Sequence, residues 1–265
     1  MPDTTLILRQ HALRSIIGEL GDLALAYFRN RDSLGVTLKG AQDWLTEADG
    51  AVERLFRQRI AEAFPGDGVF GEEQGGTAGD AAAENLWIID PIDGTANFAT
   101  GDRQWCVSVG FLHRGVPELG AVLAPAQEEL FLARRGGGAT LNGQPIRANP
   151  ITDLTRASVE IGWSKRRPLA LYIDAVRATM EAGAGVKRSA SGALGVVHTA
   201  MGRVDAYAEA HINSWDVAAA LVIAREAGCY ANDFFRGDAI VKGNPILVAA
   251  PGIAEAVIRT TRFLD

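Results

Sequence analysis

The sequence predicts a layered α/β or α+β fold, because helical and extended patterns occur in both halves of the chain. Apolar residues recur at helical spacing over several long stretches, and short runs with strand preference lie between them. The 265 residues show no internal repeat and no low-complexity tract. We therefore expect one unit over residues 1–265, with an N-terminal half of about 1–150 and a C-terminal half of about 151–265 that meet near 148–155.

The first half begins with apolar residues at near-helical spacing, which predict an amphipathic helix over residues 4–30. Thr46 to Asp49 fits a capping box and begins a helix that runs to Pro65. The other predicted elements are an extended segment or turn at 35–40, a brief strand before Glu72, a central strand that ends at Asp90, strands at 107–112 and within 119–132, and an Asn-Gly hairpin at 141–144.

In the second half, longer helical patterns alternate with short strands. Gly228 suits the C-cap of a helix. The predicted helices cover residues 168–182, 191–201, 216–227 and 253–263, and the predicted strands cover 157–161, 204–208 and 246–249.

Composition and charge exclude several classes of protein. A formal net charge of −6 provides no basic surface, so we expect neither nucleic acid nor a membrane as partner. No apolar run is long enough to span a bilayer, and the first ten residues contain no apolar signal segment. Cys106 and Cys229 are far apart and match no zinc or disulfide pattern, which favours reduced thiols and a cytoplasmic location.

The stretch from Trp87 to Phe98 carries the main chemical signal. Apolar residues lead into Asp90, Pro91 stiffens the backbone, and Asp93 follows three residues after the first aspartate. Two carboxylates in one small volume repel each other, so the arrangement favours a bound cation. With no His or Cys nearby, hard oxygen ligands indicate Mg²⁺, Mn²⁺ or Ca²⁺ rather than Zn²⁺.

Gly94 and Thr95 follow the second aspartate, where a new helix is predicted to begin. Free N–H groups and the positive end of the helix dipole bind anions such as phosphate. A divalent metal beside an anion site is typical of a metal-dependent phosphoester hydrolase. The alternative is an Asx-type turn that closes the strand, with the aspartates capping backbone donors.

Four further acidic residues are candidates for the same site, and each also has a structural explanation. Glu72 and Glu73 follow a strand and fit solvated surface charge. Asp49 fits a helix cap, and Asp216 fits an N-cap at the start of a predicted helix.

Taken together, these motifs resemble the inositol monophosphatase family over about residues 35 to 250. The nine residues from Asp90 to Phe98 are the most specific part of the resemblance. The other matching segments are Lys39 to Asp43, Thr46 to Asp49, Gly71 to Glu73, and Ser214 to Ala219 followed by Glu226 to Gly228.

The resemblance implies an αβαβα sandwich, usually a homodimer, that hydrolyses phosphate monoesters with Mg²⁺ and is often inhibited by Li⁺. It implies two to three Mg²⁺ ions per site, with the metal and phosphate site in the N-terminal half. The first ion would bind Glu72, Asp90 and the Ile92 carbonyl; the second would bind Asp90, Asp93 and Asp216. A third, weaker ion would lie near Glu72.

The resemblance also implies the remaining roles. Thr95, hydrogen-bonded to Asp49, would orient a metal-activated water, so that no covalent intermediate forms and phosphorus is inverted. The N–H groups of Gly94 and Thr95 would hold the phosphate, and Glu209 would hold a substrate hydroxyl. The substrate site would also include Ile92, Asp93, Asp216 and donors near Ser191, while Lys39, Glu73 and His211 are further candidates without an assigned role.

The leading hypothesis is a Mg²⁺-dependent phosphatase that acts on inositol monophosphate or a similar small polyol phosphate. The first alternative is a histidinol-phosphate phosphatase, whose amine would suit Glu209. A nucleotide 3′-phosphatase or a fructose-1,6-bisphosphatase comes next. Against the nucleotide option, the sequence shows no aromatic or basic pocket motif for a base and a second phosphate. An alternative of another class is an interaction protein for RNA polymerase or ribosomal-RNA processing.

Overall fold

The computed structural model describes residues 3–31, 37–40, 43–45, 47–76 and 78–264. Within these ranges the helices are, in chain order, α1 (Asp3–Arg29), α2 (Glu47–Ala63), α3 (Ala78–Ala81), α4 (Thr95–Thr100), α5 (Leu169–Glu181), α6 (Gly192–Ala200), α7 (Ser214–Glu226), α8 (Ala239–Lys242) and α9 (Ala254–Thr261).

The strands of the same ranges form two large sheets and one small hairpin. They are β1 (Thr37–Gly40), β2 (Asp43–Leu45), β3 (Gly68–Gly71), β4 (Asn85–Asp93), β5 (Cys106–His113), β6 (Val116–Ala124), β7 (Glu129–Arg134), β8 (Ala139–Leu141), β9 (Gln144–Pro145), β10 (Ser158–Ile161), β11 (Gly185–Lys187), β12 (Ala206–Ile212), β13 (Tyr230–Ala231) and β14 (Asn244–Ala249).

The long N-terminal helix forms where the apolar spacing predicts it. Leu13, Ile17 and Leu20 recur every three or four residues and are almost completely buried. They pack with α2 against one face of the first large sheet. A Cβ at Gly21 would lie 2.3 Å from Leu123 Cδ2, so a larger residue there would require the Leu123 side chain to move.

The first sheet has seven strands in the order β3-β4-β5-β6-β7-β8-β9. β3 and β4 are parallel, and the other neighbours are antiparallel. The predicted Asn-Gly turn is confirmed: Asn142 and Gly143 adopt φ of 50° and 80° between β8 and β9. The prediction that the central strand ends at Asp90 is wrong, because β4 continues through Pro91 to Asp93.

The second sheet has five strands in the order β11-β10-β12-β14-β13. β10, β11 and β12 are parallel, so their carboxyl ends lie at one edge of the sheet. β14 pairs antiparallel with β12 and with β13. The first sheet uses residues from 68 to 145 and the second from 158 to 249; that the two halves form one unit stays a prediction.

The elements stack in five layers. α1 and α2 cover the outer face of the first sheet, α6 and α7 lie between the sheets, and α5 and α9 cover the outer face of the second sheet. This is the αβαβα sandwich that the family resemblance implies, and the predicted layered fold is confirmed. Among the described helices, none combines the length and the apolar character needed to cross a bilayer.

Helix α7 lies unusually close to the first sheet. A Cβ at Gly120 would lie 2.2 Å from the Ala219 carbonyl oxygen, and one at Gly110 would lie 2.9 Å from Ala218 Cβ. Two glycines on adjacent strands therefore let the helix backbone rest directly on the sheet. This contact carries the first turn of α7 to the end of β4, where the candidate site lies.

Candidate active site

Three carboxylates from two elements converge at the end of the central strand. Asp90 and Asp93 belong to β4, and Asp216 lies in the first turn of α7. One carboxylate oxygen from each lies within 4.8 Å of the others. The structure therefore confirms that the two aspartates of the central motif share one small volume, and it adds the third from 123 residues further along the chain.

A β-bulge explains how Asp90 and Asp93 reach the same side of the sheet. Residues three apart in a regular strand point to opposite faces. Here Asp90 pairs with Ser108 and Asp93 pairs with Cys106, so two residues of β4 oppose one residue of β5. The extra residue places the Asp90 and Asp93 side chains on the same side of the sheet. The Ile92 N–H donates to Asp90 Oδ1 at 3.0 Å instead of to the neighbouring strand.

Asp216 is held by the start of its own helix. Its Oδ2 accepts the Asn213 N–H at 2.9 Å, as in a capping box. The interpretation of Asp216 as the N-cap is wrong, because Asn213 occupies that position and α7 begins at Ser214. The same carboxylate thus caps the helix and faces the aspartates of β4.

The acidic cluster is electrostatically unfavourable without a cation. Burial and the charges of Asp216 and Asp49 raise the pKa of Glu72 well above its ordinary value. Burial and the charge of Asp93 raise the pKa of Asp216 from 3.8 to about 7. A divalent cation would remove this repulsion, and carboxylate and carbonyl oxygens are the donors that Mg²⁺ prefers. The residues present therefore fit a magnesium site.

The loop that carries Glu72 is fixed by Glu53, which the sequence analysis missed. Glu53 is fully buried in α2 and accepts the N–H of Glu73 at 2.8 Å and of Gln74 at 3.2 Å. Arg57, one turn later, binds the same carboxylate at 2.8 Å and donates to the Gly75 carbonyl at 2.6 Å. The only sequence signal was an acidic residue on the apolar side of a helix, four residues before an arginine.

We expect Glu53→Gln to raise the Mg²⁺ concentration needed for half-maximal activity by about ten- to hundredfold, as is usual when a partner that orients a metal ligand is lost. An amide oxygen retains part of the contact to the loop but loses the charge-assisted hydrogen bonds. The measurement is a Mg²⁺ titration of initial rates. Glu62→Gln, on the exposed face of the same helix, is the matched control and should leave the titration unchanged.

Asp49 and Thr95 meet beside the acidic cluster, although 46 residues separate them. Asp49 is almost completely buried in the first turn of α2. The Thr95 hydroxyl lies 3.4 Å from Asp49 Oδ1 and 2.9 Å from the Ile92 carbonyl oxygen. The hydroxyl is therefore positioned between a carboxylate and the carbonyl that the family resemblance assigns to the metal. Thr46 lies outside the described residues, so the capping box stays a prediction.

The turn after Asp93 requires a glycine. Gly94 has φ of 94°, and a Cβ there would lie 2.7 Å from the Gln104 carbonyl oxygen. Gly94 is the N-cap of α4, so the predicted helix start is confirmed. The first N–H groups of a helix have no intrahelical partner and are therefore available to an anion.

Helix α6 points its N-terminus at Asp93. The Ser191 hydroxyl donates to Asp93 Oδ2 at 2.6 Å, and the N–H groups of Ala193 and Gly192 lie 2.7 Å and 3.2 Å from the same carboxylate. Burial raises the pKa of Asp93, and these donors oppose the rise. The donors near Ser191 thus fix a predicted metal ligand; a direct contact between Ser191 and substrate stays a prediction.

Ala190, immediately before this N-terminus, has φ of 64°. A left-handed conformation costs a non-glycine residue about 1–2 kcal/mol. Replacing alanine with glycine also lowers the free energy of unfolding by about 0.4–1 kcal/mol, because glycine gives the unfolded chain more conformational freedom. We therefore expect Ala190→Gly to raise the free energy of unfolding by about 0.5 kcal/mol in urea denaturation. Ala182→Gly, at an exposed C-cap with φ of −75°, is the control and should lower it.

Glu209 is buried in β12 and forms a pair with Tyr207, whose hydroxyl donates to Glu209 Oε2 at 2.6 Å. Burial raises the pKa of Glu209 from 4.5 to about 8, and the Tyr207 hydrogen bond opposes the rise. A Cβ at Gly162 would lie 2.2 Å from Glu209 Oε2, so a glycine on the neighbouring strand end makes room for the carboxyl.

The three residues without an assigned role have different positions. His211 lies in the cleft, where one ring nitrogen is 2.8 Å from the Lys242 carbonyl oxygen, and burial lowers its pKa. Glu73 contributes its backbone N–H to Glu53. Lys39 belongs to β1, and its side chain lies outside the described part of the protein.

One cleft of about 980 Å³ connects the predicted site residues. It lies between the end of β4 and the carboxyl ends of β10, β11 and β12. Its lining includes predicted metal and substrate residues, namely Glu72, Asp93, Gly94, Thr95, Ser191, Glu209 and Asp216. Asp49 and Asp90 are buried beside it. The structure therefore brings these seven residues together; Thr95 connects Asp49 to the same cleft, and Asp93 and Asp216 connect Asp90 to it.

A sequence model of the inositol monophosphatase family matches residues 8–265. The chain belongs to the inositol monophosphatase family. This match confirms the predicted resemblance, and the family is Mg²⁺-dependent in general.

Relatives in this family carry two kinds of name. The Nus factor SuhB of Xylella fastidiosa is 36% identical over 221 residues, 83% of this chain and 79% of that protein. The inositol-1-monophosphatase of Rhizobium meliloti is 34% identical over 232 residues, 87% of each chain. The crystal structure of the extragenic suppressor protein suhB from Bartonella henselae has a TM-score of 0.87 and 27% identity, and covers 95% of this chain and 97% of that chain.

These names bear on two earlier expectations. A phosphatase is supported at the level of the family, whereas the inositol phosphate substrate is not settled. The expectation that nucleic acid is not a partner is not supported, because several relatives carry the name Nus factor.

Proposed function

We propose that this protein is a Mg²⁺-dependent phosphomonoester hydrolase that acts on inositol monophosphate or a similar small polyol phosphate. The observation that carries the proposal is the convergence of Asp90, Asp93 and Asp216 within 4.8 Å, directly beside the Gly94–Thr95 helix start. A cation site next to an anion site is the arrangement that phosphoryl transfer to water needs.

The chain offers two overlapping sets of metal ligands. Glu72, Asp90 and the Ile92 carbonyl would hold one ion, and Asp90, Asp93 and Asp216 would hold another, with a third and weaker ion near Glu72. Bound Mg²⁺ would neutralise the carboxylates and polarise the phosphoryl oxygens. Burial, followed by repulsion between the carboxylates, raises the pKa values of Asp90 and Asp216, and a bound cation would offset both effects.

Thr95 and Asp49 would orient the attacking water. The Thr95 hydroxyl lies between Asp49 and the Ile92 carbonyl, so it can donate to one of them and accept a hydrogen bond from water. Asp49 would take the proton of the attacking water through the Thr95 hydroxyl, and the leaving alkoxide would take up a proton from solvent in the cleft. Attack by water inverts phosphorus and forms no covalent intermediate. The Cys106 thiol near Asp93 is an unsuitable nucleophile, because burial and the aspartate charges raise its pKa well above its ordinary value.

The N–H groups of Gly94 and Thr95 would hold the phosphate, and Glu209 would accept a hydroxyl of the leaving group. With a pKa of about 8, Glu209 is largely protonated at neutral pH in the metal-free protein. A neutral carboxyl suits a polyol hydroxyl better than the ammonium group of histidinol phosphate, because only an ionised acid forms an ion pair. The relatives named inositol-1-monophosphatase, one of them 34% identical, are the further reason to place the polyol phosphate first.

The test is phosphate release from myo-inositol 1-phosphate and histidinol phosphate, with Mg²⁺ and with EDTA. We expect kcat/KM for the inositol ester to exceed that for histidinol phosphate by about a hundredfold, which corresponds to about 2.7 kcal/mol of transition-state discrimination. A preference for histidinol phosphate would reassign the substrate. Equal rates with Mg²⁺ and with EDTA would contradict the whole proposal.

A second candidate role follows from the relatives named Nus factor. An interaction with the transcription apparatus would use a surface rather than the acidic cluster, so it should survive the loss of catalysis. The test is co-purification with RNA polymerase for the wild type and for Asp90→Asn. Binding by both variants supports this role, and binding by neither contradicts it.

Three further expectations remain proposals of the same kind. They are a homodimer, inhibition by Li⁺ and a cytoplasmic location. Sedimentation velocity tests the first, and Li⁺ titration of the Mg²⁺-dependent rate tests the second. A rate that Li⁺ leaves unchanged would contradict the expected inhibition.

A further inference from the structure

The connection between β11 and α6 is short and leads directly to a proposed metal ligand. Four residues, 188–191, join the end of β11 to the start of α6, and we call them the α6 link. The link ends at Ser191, whose hydroxyl lies 2.6 Å from Asp93 Oδ2, and two N–H groups of the first turn of α6 donate to the same carboxylate. The position of the α6 link therefore determines where the donors to Asp93 lie.

Ser189 lies in the middle of the α6 link, and each of its polar groups is hydrogen-bonded. Its N–H donates to Glu160 Oε1 at 2.8 Å, and its hydroxyl donates to the same oxygen. Its carbonyl oxygen accepts a hydrogen bond from the Asn97 side-chain amide at 2.8 Å. Because the N–H, the hydroxyl and the carbonyl are all held, the backbone is fixed on both sides of this residue.

The two partners of Ser189 come from different sides of the cleft. Asn97 belongs to α4, the helix that begins at the proposed phosphate site. Glu160 belongs to β10 of the second sheet and pairs with Lys187 of the parallel strand β11, so its long side chain can reach the residue two positions further along. The α6 link is therefore bonded both to the second sheet and to the helix that follows the central motif.

Glu160 is a buried acid that the proposed mechanism does not use. Its side chain is only 3% exposed, although the residue lines the cleft. It is not one of the three aspartates whose oxygens converge. Among the described residues, only Ser189 donates hydrogen bonds to its carboxyl group, and no lysine or arginine lies within 4.0 Å of it. Any effect of Glu160 on the acidic cluster therefore passes through Ser189.

The α6 link also contains a strained residue. Ala190, between Ser189 and Ser191, has φ of 64°, a conformation that costs a non-glycine residue about 1–2 kcal/mol. Such a conformation persists only where the surrounding contacts hold it in place. The contacts of Ser189 hold the chain before Ala190, and the contact of Ser191 with Asp93 holds it afterwards. Loss of the first set would let the link relax and move the donors away from Asp93.

The other end of the acidic cluster is built in a similar way. Glu53, buried in α2, accepts N–H groups of the loop that carries Glu72. Glu160 accepts an N–H group of the link that leads to the donors of Asp93. The first glutamate lies in the outer helical layer and the second in the second sheet. Each of the two proposed ions therefore has its own buried glutamate, which acts through backbone N–H groups.

We propose that Glu160 is a positioning residue for the ion bound by Asp93, and that it acts independently of Glu53, which positions the loop of the ion bound by Glu72. This inference rests on the proposed function, because it uses the two sets of metal ligands assigned there. Glu160 touches neither ion and acts through the N-terminus of α6. Partners that orient a metal ligand commonly change metal affinity by about ten- to hundredfold.

The first test is calorimetric titration with Mg²⁺ in the absence of substrate. We expect Glu160→Gln to weaken the binding of one ion by about ten- to hundredfold, because the amide loses the charge-assisted hydrogen bonds to Ser189. Ser189→Ala removes only the hydroxyl donor and retains the N–H, so it should weaken the same ion by a smaller factor. Glu181→Gln, which replaces an exposed acid of α5, is the matched control and should leave both affinities unchanged.

A double-mutant cycle separates positioning from a general loss of structure. In Asp93→Asn, where the positioned ligand is lost, Glu160→Gln should change the affinity of the remaining ion by less than about twofold, whereas Glu53→Gln should still weaken it. In Glu72→Gln the pattern should be reversed. An equal effect of Glu160→Gln with and without the Asp93 carboxylate would show that Glu160 only stabilises the fold, and would overturn the proposal.

The binding measurements also keep this inference separate from the proposed function. Mg²⁺-dependent hydrolysis by the wild type, together with unchanged Mg²⁺ binding in Glu160→Gln, would overturn the inference and retain the function. The expected cycle in a protein that releases no phosphate would overturn the function and retain the positioning role. A wild-type protein that binds no Mg²⁺ would overturn both.

Discussion

Asp90→Asn is expected to lower kcat by about a thousandfold, or about 4 kcal/mol of transition-state stabilisation. Asp90 is the carboxylate that both proposed metal sites share, so one neutral amide weakens the binding of both ions. The fold should be retained, because an asparagine oxygen can still accept the Ile92 N–H that Asp90 accepts at 3.0 Å. We expect the metal-free variant to be at least as stable as the wild type.

The stability result is what distinguishes a metal ligand from a structural residue. Burial and the charges of Glu72 and Asp93 raise the pKa of Asp90, so an ionised Asp90 is unfavourable in the folded metal-free protein. Removing that charge relieves repulsion. Circular dichroism melting in EDTA measures the stability, and phosphate release with Mg²⁺ measures the activity.

Asp102→Asn is the matched control for this prediction. Asp102 accepts the Gln104 N–H at 3.0 Å, the same two-residue contact that Asp90 makes, but it lies in an exposed turn outside the cluster. Its replacement should leave kcat unchanged. Near-normal Mg²⁺-dependent activity in Asp90→Asn, or a large loss of stability with parallel loss of activity, would contradict the metal assignment.

Glu209→Gln is expected to make the metal-free protein more stable than the wild type at alkaline pH. Below pH 4.5 the carboxyl is protonated in both the folded and the unfolded wild type. Between about pH 4.5 and 8 it ionises only in the unfolded chain, because burial raises its folded pKa to about 8. The free energy of unfolding of the wild type therefore falls over this range relative to that of the variant.

A pKa rise from 4.5 to about 8 corresponds to a relative change of about 5 kcal/mol, which should level off above pH 8. The measurement is urea denaturation of both proteins in EDTA at a series of pH values. Glu255→Gln removes an acidic side chain that is 92% exposed and controls for the loss of surface charge. A difference between wild type and Glu209→Gln that does not change with pH would show that Glu209 is not desolvated.

Local sequence patterns predicted the regular elements well, since each long helix has its own apolar periodicity. The metal and phosphate sites of the central motif could also be predicted from the sequence, because Asp90, Asp93, Gly94 and Thr95 are close in the chain. The end of the central strand was predicted wrongly: the prediction was Asp90, and the strand ends at Asp93. A proline can occupy a β-bulge, where no ladder hydrogen bond is required of it, and neither the bulge nor its pairing partner is visible in the motif.

Other features depended on contacts between distant segments. Glu53 accepts hydrogen bonds from the loop of Glu72, about 20 residues further along the chain, and no spacing signal separates this contact from an ordinary buried pair. The same holds for the N-terminus of α6 on Asp93, which unites residues about 100 positions apart.

The most direct test of the central claim is the dependence of phosphate release on Mg²⁺ in the wild-type protein. With myo-inositol 1-phosphate as substrate, the rate should fall to background after treatment with EDTA and should return with a saturable dependence when Mg²⁺ is added. This result would show that phosphate release requires a bound metal ion, as the convergence of Asp90, Asp93 and Asp216 predicts. Hydrolysis that continues at an undiminished rate in EDTA would contradict the claim.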